Sequence, residues 1–346
     1  MRVGSARKAA SAWVLEHAGK EAGFRGAFFS GSTIGQPDEA VLPATSDIDV
    51  VVVIEDAESA MKLGKFVYRG ALLEVTYLSW DQLASVEKVL TSYHLAGSFR
   101  TDTIIADPAG HLGKLQTEVS RRFAEQVWVR RRCGNVLRKV EQGLRNIDTG
   151  LPLHDKITSW LFPTGVTTHV LLVAALSNPT VRRRYLMAKD VLSQYEQSVF
   201  YEELLKLLGC AHMTAQRVEH HLEELARTFD AAAAAAQTPF FFSTDISAAA
   251  RPIAIDGSRE LIRSGYHREA VFWIVATFAR CHKILAADAP ADLKREHNPA
   301  FEALISDLGV SSDRDLLRRA EDVIQFLPRL GKTAETIMSL NPDILR

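Results

Sequence analysis

The sequence predicts an α/β (α+β) architecture: a mixed sheet domain with flanking helices, followed by a helical bundle. Three observations predict it. Short β-branched runs alternate with helical spacing over the first third of the chain, a two-residue turn signal joins two of those runs, and beyond about residue 110 strand-like runs become scarce. The division is placed at residues 1–115 and 116–346, and 346 residues suggest about two domains.

The elements follow in order. Residues 5–23 carry Trp13, Val14 and Leu15 at helical spacing. Residues 26–30 (GAFFS) are a short apolar strand ended by Gly31 and Ser32, and a loop rich in Gly, Pro and Ser follows. Residues 46–55 (SDIDVVVVIE) are a β-branched run that reads as a buried strand. Residues 65–68 and 71–78 flank Arg69-Gly70 as a hairpin. A helix over 81–90 is expected with Ser79 as its cap, and a last strand over 102–106 runs into Asp107-Pro108. Helices are then expected over 111–146, 154–177, 178–208, 214–236, 243–264, 266–287 and 312–338, the last kinked at Pro328. The polyalanine stretch at 231–236 reads as the end of a good helix.

Composition excludes several classes. Hydrophobic residues make up 47% and charged residues 24%, which rules out wholesale disorder. With 41 Lys and Arg against 42 Asp and Glu, the net charge of −1 gives no bulk attraction to nucleic acid, and a nucleic-acid partner is not expected. Cys133, Cys210 and Cys281 are too far apart for a zinc knuckle and too few for a disulfide framework, so reduced thiols are expected. No signal peptide is read at the N-terminus. The longest strongly apolar run, residues 271–279, is shorter than the about 20 residues that span a bilayer. A cytoplasmic protein with no membrane partner is the expectation.

Three features of the first domain carry chemistry. Gly31 at a strand end lets backbone approach a ligand, and free N–H groups in such a turn suit an anion. Asp47 and Asp49 are two apart on a strand, so both carboxylates project from one side while Ile48 turns away. Held this close, they repel by about 4 kcal/mol at an effective dielectric of about 20, which a divalent cation relieves. Magnesium takes oxygen ligands of this kind together with substrate phosphates. Glu74 lies mid-strand among Leu72, Leu73 and Val75, with no Lys or Arg at the alternate positions of its own strand. A buried carboxylate needs a partner, and a metal or a hydroxyl that gives up its proton would serve. Taken singly, each has a plainer reading: a common turn, a solvated strand start, an edge glutamate facing water.

In this order the features resemble the nucleotidyltransferase superfamily that includes DNA polymerase β, and most of all its bacterial small-molecule members that adenylylate aminoglycosides. The pattern stands here as Phe29-Ser30-Gly31-Ser32, Gly35, Ser46-Asp47-Ile48-Asp49-Val50 and Leu73-Glu74-Val75, with Asp107-Pro108-Ala109-Gly110 ending a later strand. The resemblance covers roughly residues 1–115, with the helical remainder alike only in kind, as an acceptor-binding domain. It implies Mg²⁺-dependent transfer of a nucleoside monophosphate from a nucleoside triphosphate, ATP foremost, to a hydroxyl of a small-molecule acceptor, with release of pyrophosphate. It makes Asp47 and Asp49 ligands of one or two magnesium ions and Glu74 the third ligand or the general base. Gly31 and Ser32, with Ser46, would bind the phosphates. The alternatives are transfer to a protein or RNA end, and a non-catalytic nucleotide-sensing module. The loop between Ser32 and Asp47 is longer than usual, and Thr33 and Ile34 stand where a basic residue is often found. Arg121, Arg122, Arg130, Arg131, Arg132, Arg138 and Lys139 are therefore candidates to neutralise the triphosphate, against the plainer reading of a solvated helix face.

Other motifs are set aside. Gly331-Lys332-Thr333 lacks the first glycine of a P-loop, where Phe326 stands. Glu219, His220, His221 and Glu224 put His220 and Glu224 at i, i+4, but no second His stands at the right spacing, and they read as an exposed polar face. Asp256-Gly257-Ser258 reads as a turn or helix start.

Overall fold

The computed structural model describes residues 1–56 and 62–346. The chain divides into two compact units. The first comprises Met1–Arg132, Phe241–Asp245 and Asp343–Arg346, and the second Cys133–Phe240 and Ile246–Pro342.

In the first unit, helix α1 (Val3–Glu16) leads into strand β1 (Phe24–Ser30). Strand β2 (Ile48–Ile54) follows the long loop, and β3 (Lys62–Tyr68) and β4 (Ala71–Ser79) form the hairpin around Arg69-Gly70. Helix α2 (Val86–Thr91), strand β5 (Ile104–Ala106) and helix α3 (His111–Arg122) complete this part. The sheet order is β3-β4-β2-β1-β5, with β2 and β4 parallel and the other pairs antiparallel. The mixed α/β sheet predicted from the sequence is therefore present, and a helical region accompanies it.

Alternation along β2 and β4 gives the sheet two different faces. Ile48, Val50, Val52, Leu73 and Val75 pack with Val3, Trp13 and Val14 of α1. Phe28, Val53 and Leu78 pack on the other face against Leu83, Val89, Leu90, Leu112 and Val119. That second face also carries Asp49 and Glu74, which alternate with the α1-facing residues. The long loop is tied back to α1: the Arg7 guanidinium bonds Asp38 at 2.9 Å and the Thr33 carbonyl at 2.5 Å, and the Gly4 N–H donates to the Asp38 carbonyl.

The second unit is helical. It contains most of α4 (Gln126–Arg145), and then α5 (Leu153–Ala174), α6 (Arg184–Gln194), α7 (Ser198–Leu208), α8 (Ala215–Ala235), α9 (Gly257–Arg263), α10 (His267–Asp288), α11 (Ala291–Asp307) and α12 (Asp313–Leu340). Helices α5 and α10 are each 22 residues and, by length and composition alone, apolar enough to cross a membrane; 72% of each apolar stretch is buried within the protein. Residues 271–279, read as a short apolar run, lie inside α10.

Several expectations need correction. The helix expected over 81–90 is a 3₁₀ turn (Trp80–Leu83) followed by α2, because Ser85, not Ser79, accepts the capping bond, from the Lys88 N–H. The helix over 111–146 breaks between α3 and α4, and that over 178–208 breaks between α6 and α7, where Glu196 adopts a positive φ of 57°. Residues 243–264 do not form one helix: Ser243–Asp245 is a 3₁₀ turn belonging to the first unit, and a π-helical turn (Pro252–Asp256) precedes α9. Helix α11 lies outside every range expected to be helical; Pro290 stands at its start and Pro299 within it. The caps Thr214 and Ser312 accept bonds from Arg217 and Asp315 N–H groups, and α12 continues through Pro328.

Candidate active site

Strand pairing assembles one row of side chains across the sheet. Ser30 of β1 pairs with Asp49 of β2, Asp49 with Glu74 of β4, and Glu74 with Lys65 of β3. Paired residues share a face, so these side chains line up on the side opposite α1. Asp47, two residues before Asp49, joins the same side. Among the described residues, Asp47, Asp49 and Glu74 form a group whose ligand atoms all lie within 4.8 Å of one another, close enough to share one ion.

Gly31 makes room for this group. It follows β1 in a 3₁₀ turn with φ of 71°, and a Cβ there would stand 1.7 Å from Asp49 Oδ2. Any side chain at this position collides with the carboxylate. Ser32 is exposed in that turn, and its carbonyl accepts from the Gln36 amide at 3.1 Å. Ser46 is half-buried just before β2, its N–H donating to the Pro43 carbonyl. The turn does not open a full helix, so anion-binding N–H groups there are those of a single turn.

Among the described residues, two further charged groups stand at the site. The Lys65 ammonium, only 8% exposed, bonds Glu74 and lies 3.0 Å from Asp47 and 3.1 Å from Asp245. Asp245 is 6% exposed, Asp47 15% and Glu74 17%. Asp245 arrives on the Phe241–Asp245 segment, docked on β3 at a bulge. There the Lys65 N–H donates to Thr244 Oγ1 at 2.8 Å, and Thr244 Oγ1 sits where a Cβ on Gly64 would lie, 1.8 Å away. Burial pushes the Asp47 pKa up; Lys65 opposes the rise and Glu74 adds to it. For Lys65, burial favours the neutral amine, but the carboxylates of Asp47, Glu74 and Asp245 outweigh it and hold the pKa above the ordinary lysine value.

The three sequence-predicted acids are thus brought together, and Lys65 and Asp245 join them. Lys65 corrects the expectation that Glu74 lacks a basic partner, since the partner stands on the neighbouring strand. The donor set is all carboxylate oxygen, which fits a hard divalent cation such as magnesium, and the Gly31 surface leaves space for Asp49 to turn toward it. Lys65 is the qualification to this fit, because its ammonium occupies part of the same space.

Several other candidates have partners of their own. Arg132 is 2% exposed and donates to the Leu90 and Phe123 carbonyls, a structural role. Arg121 pairs with Glu118 at 2.6 Å, and the Arg131 guanidinium lies 4.6 Å from the Trp128 ring centre. Asp107 caps α3, accepting from the His111 and Gly113 N–H groups. His221, read as exposed, is buried with Nε2 2.7 Å from Asp307. Gly331-Lys332-Thr333 lies within α12, and the three cysteines are buried free thiols.

No protein-family profile and no curated protein matches the chain. Among solved structures, a nucleotidyltransferase-like protein from Exiguobacterium sibiricum matches at 14% identity and a TM-score of 0.29, over 75% of this chain and 91% of that one. A likeness this loose carries no weight, and the geometry of the acidic row must support any functional reading.

Proposed function

We propose that the protein is a nucleotidyltransferase that moves a nucleoside monophosphate from a nucleoside triphosphate, ATP foremost, to a hydroxyl of a small-molecule acceptor. The observation that carries this reading is the convergence of Asp47, Asp49 and Glu74 on one sheet face beside the Gly31 turn. The acceptor oxygen attacks the α-phosphorus, the bond from that phosphorus to the bridging oxygen breaks, and pyrophosphate leaves. The acceptor's proton passes to a carboxylate, and Glu74 serves either as that general base or as a third oxygen donor to the metal. Asp47 and Asp49 are the residues that would hold magnesium; when bound it supplies charge neutralisation for the triphosphate and the departing pyrophosphate. The Gly31-Ser32 turn approaches the phosphates with backbone, and Ser46 stands at the entry to β2. The protein's contribution is positioning and charge stabilisation, as in phosphoryl transfer generally. The helical unit is the proposed acceptor-binding part.

The test incubates the protein with ATP labelled at the α-phosphate, Mg²⁺ and a panel of hydroxylated small molecules, and identifies products by mass spectrometry. An acceptor gaining one nucleoside monophosphate, with one pyrophosphate released, is the expected result. Release of the β- and γ-phosphates only as inorganic phosphate, with no label on any acceptor, would overturn it.

A further inference from the structure

The carboxylate cluster holds a cation of its own. Lys65 comes from β3 directly opposite Glu74, is 8% exposed, and contacts Asp47, Glu74 and Asp245 together. Asp245 is the most buried of these acids, at 6%. It is held there by its segment's contact with the β3 bulge, where Thr244 fills the space that Gly64 leaves and receives the Lys65 N–H. The backbone and the ammonium of one lysine are therefore both gripped by the same short segment. A carboxylate brought from this far along the chain to a lysine already facing two acids is an anchor for that lysine.

We infer that Lys65 is a built-in occupant of the cation position, held by Asp245, and that it limits how tightly and how many divalent cations the carboxylates take. The inference deepens the nucleotide-transfer reading and rests on it only in taking a divalent cation as the ligand. The physical basis is that an ammonium and a divalent ion compete for the carboxylates of Asp47 and Glu74 and repel each other at short range. In the metal-free protein Lys65 offsets the mutual repulsion of the acids. It is a positioning residue, acting through the carboxylates and not on the reacting atoms.

The experiment measures Mn²⁺ binding to the full chain by calorimetry and electron paramagnetic resonance, and melting with and without EDTA. Wild type is expected to bind one Mn²⁺ per chain. Lys65→Met is expected to bind Mn²⁺ roughly tenfold more tightly or better and to take a second ion, whereas Lys65→Arg, which keeps the charge, stays within about threefold of wild type. In EDTA the Lys65→Met protein melts lower than wild type, and Mn²⁺ raises its melting temperature by more. If Lys65→Met does not fold, the double variant Lys65→Met/Asp245→Asn, which removes the ion pair and keeps the cluster's net charge, makes the same test and is expected to bind more tightly than wild type. Equal or weaker binding by the folded variants, or an equal gain in Lys65→Arg, overturns the inference alone, provided wild type binds the ion. Failure of wild type and variants alike to bind Mn²⁺ overturns the metal reading of the site as well.

Discussion

Each unit buries a charged centre, and the two differ in their arithmetic. In the helical unit, Glu269 is 2% exposed and is met by the Tyr201 hydroxyl at 2.8 Å and the Lys189 ammonium at 3.4 Å: one negative charge, one positive charge and a neutral donor. In the sheet unit, among the described residues, Asp47, Glu74 and Asp245 share Lys65, and Asp49 lies within the same acidic group: four carboxylates gathered beside one ammonium. A neutral cluster satisfies its buried charges within the fold. Where several carboxylates crowd one ammonium, a further cation can be added, and that inequality separates a candidate site from a structural ion pair.

The sharpest way to break this comparison is to remove charge at both places. Asp47→Asn or Asp49→Asn is expected to reduce nucleotide transfer by about 10³-fold or more. The melting temperature should change by no more than about 3 °C, because asparagine keeps the side chain's shape and relieves repulsion among the remaining carboxylates. A labelled-transfer assay beside thermal melting checks both halves. Gly31→Ala comes next. The new methyl group meets Asp49 and the backbone is forced to keep a left-handed φ, so transfer should fall by about 10²-fold and stability by about 1–2 kcal/mol, read by the same assay and by urea denaturation.

The converse test is Glu269→Ala. It leaves the Tyr201 hydroxyl buried without its acceptor and takes the counter-charge from Lys189, which is 41% exposed, and should cost about 2 kcal/mol of stability by denaturant titration. Stability loss here with little loss at Asp47 sharpens the contrast; equal losses at both would erase it. The smallest effect is one of pH. Burial, ahead of neighbouring positive charge, holds the pKa of His169 down to about 3 and that of His282 down to about 4, from 6.5. The unfolded chain therefore binds more protons than the folded one below pH 6.5, and stability must fall as pH falls through that value toward 4. A drop in melting temperature on the order of 5 °C between pH 7 and pH 5 is the expected outcome, measured by calorimetry at constant ionic strength.

Much of the sheet was legible because its signals are local. The Val50–Val53 run admits little but a buried strand, and the Asp-Ile-Asp spacing places two acids on one face whatever surrounds them. Even the partner of Glu74 lay within reach. A two-residue turn at Arg69-Gly70 pairs Tyr68 with Ala71, and counting outward pairs Lys65 with Glu74. That pairing lies across the hairpin and not along β4, where Glu74 has no basic neighbour at the alternate positions. Asp245 had no such signal: its place depends on tertiary docking over 179 residues of separation between Thr244 and Lys65. Helix breaks were lost for a related reason. Leu176 and Glu196 adopt positive φ with side chains that give no hint of it, and α11 begins at a proline and contains another.

The docked segment has a consequence for anyone dissecting the gene. A polypeptide ending at Arg132 carries every strand and all three predicted acids, yet it omits Asp245, Thr244 and the terminal stretch whose Leu345 bridges Glu125. Such a fragment is a sheet with one wall taken away, its lysine turned toward water on that side. Recombination that exchanges the helical half between chains must carry these few returning residues along, or rebuild them.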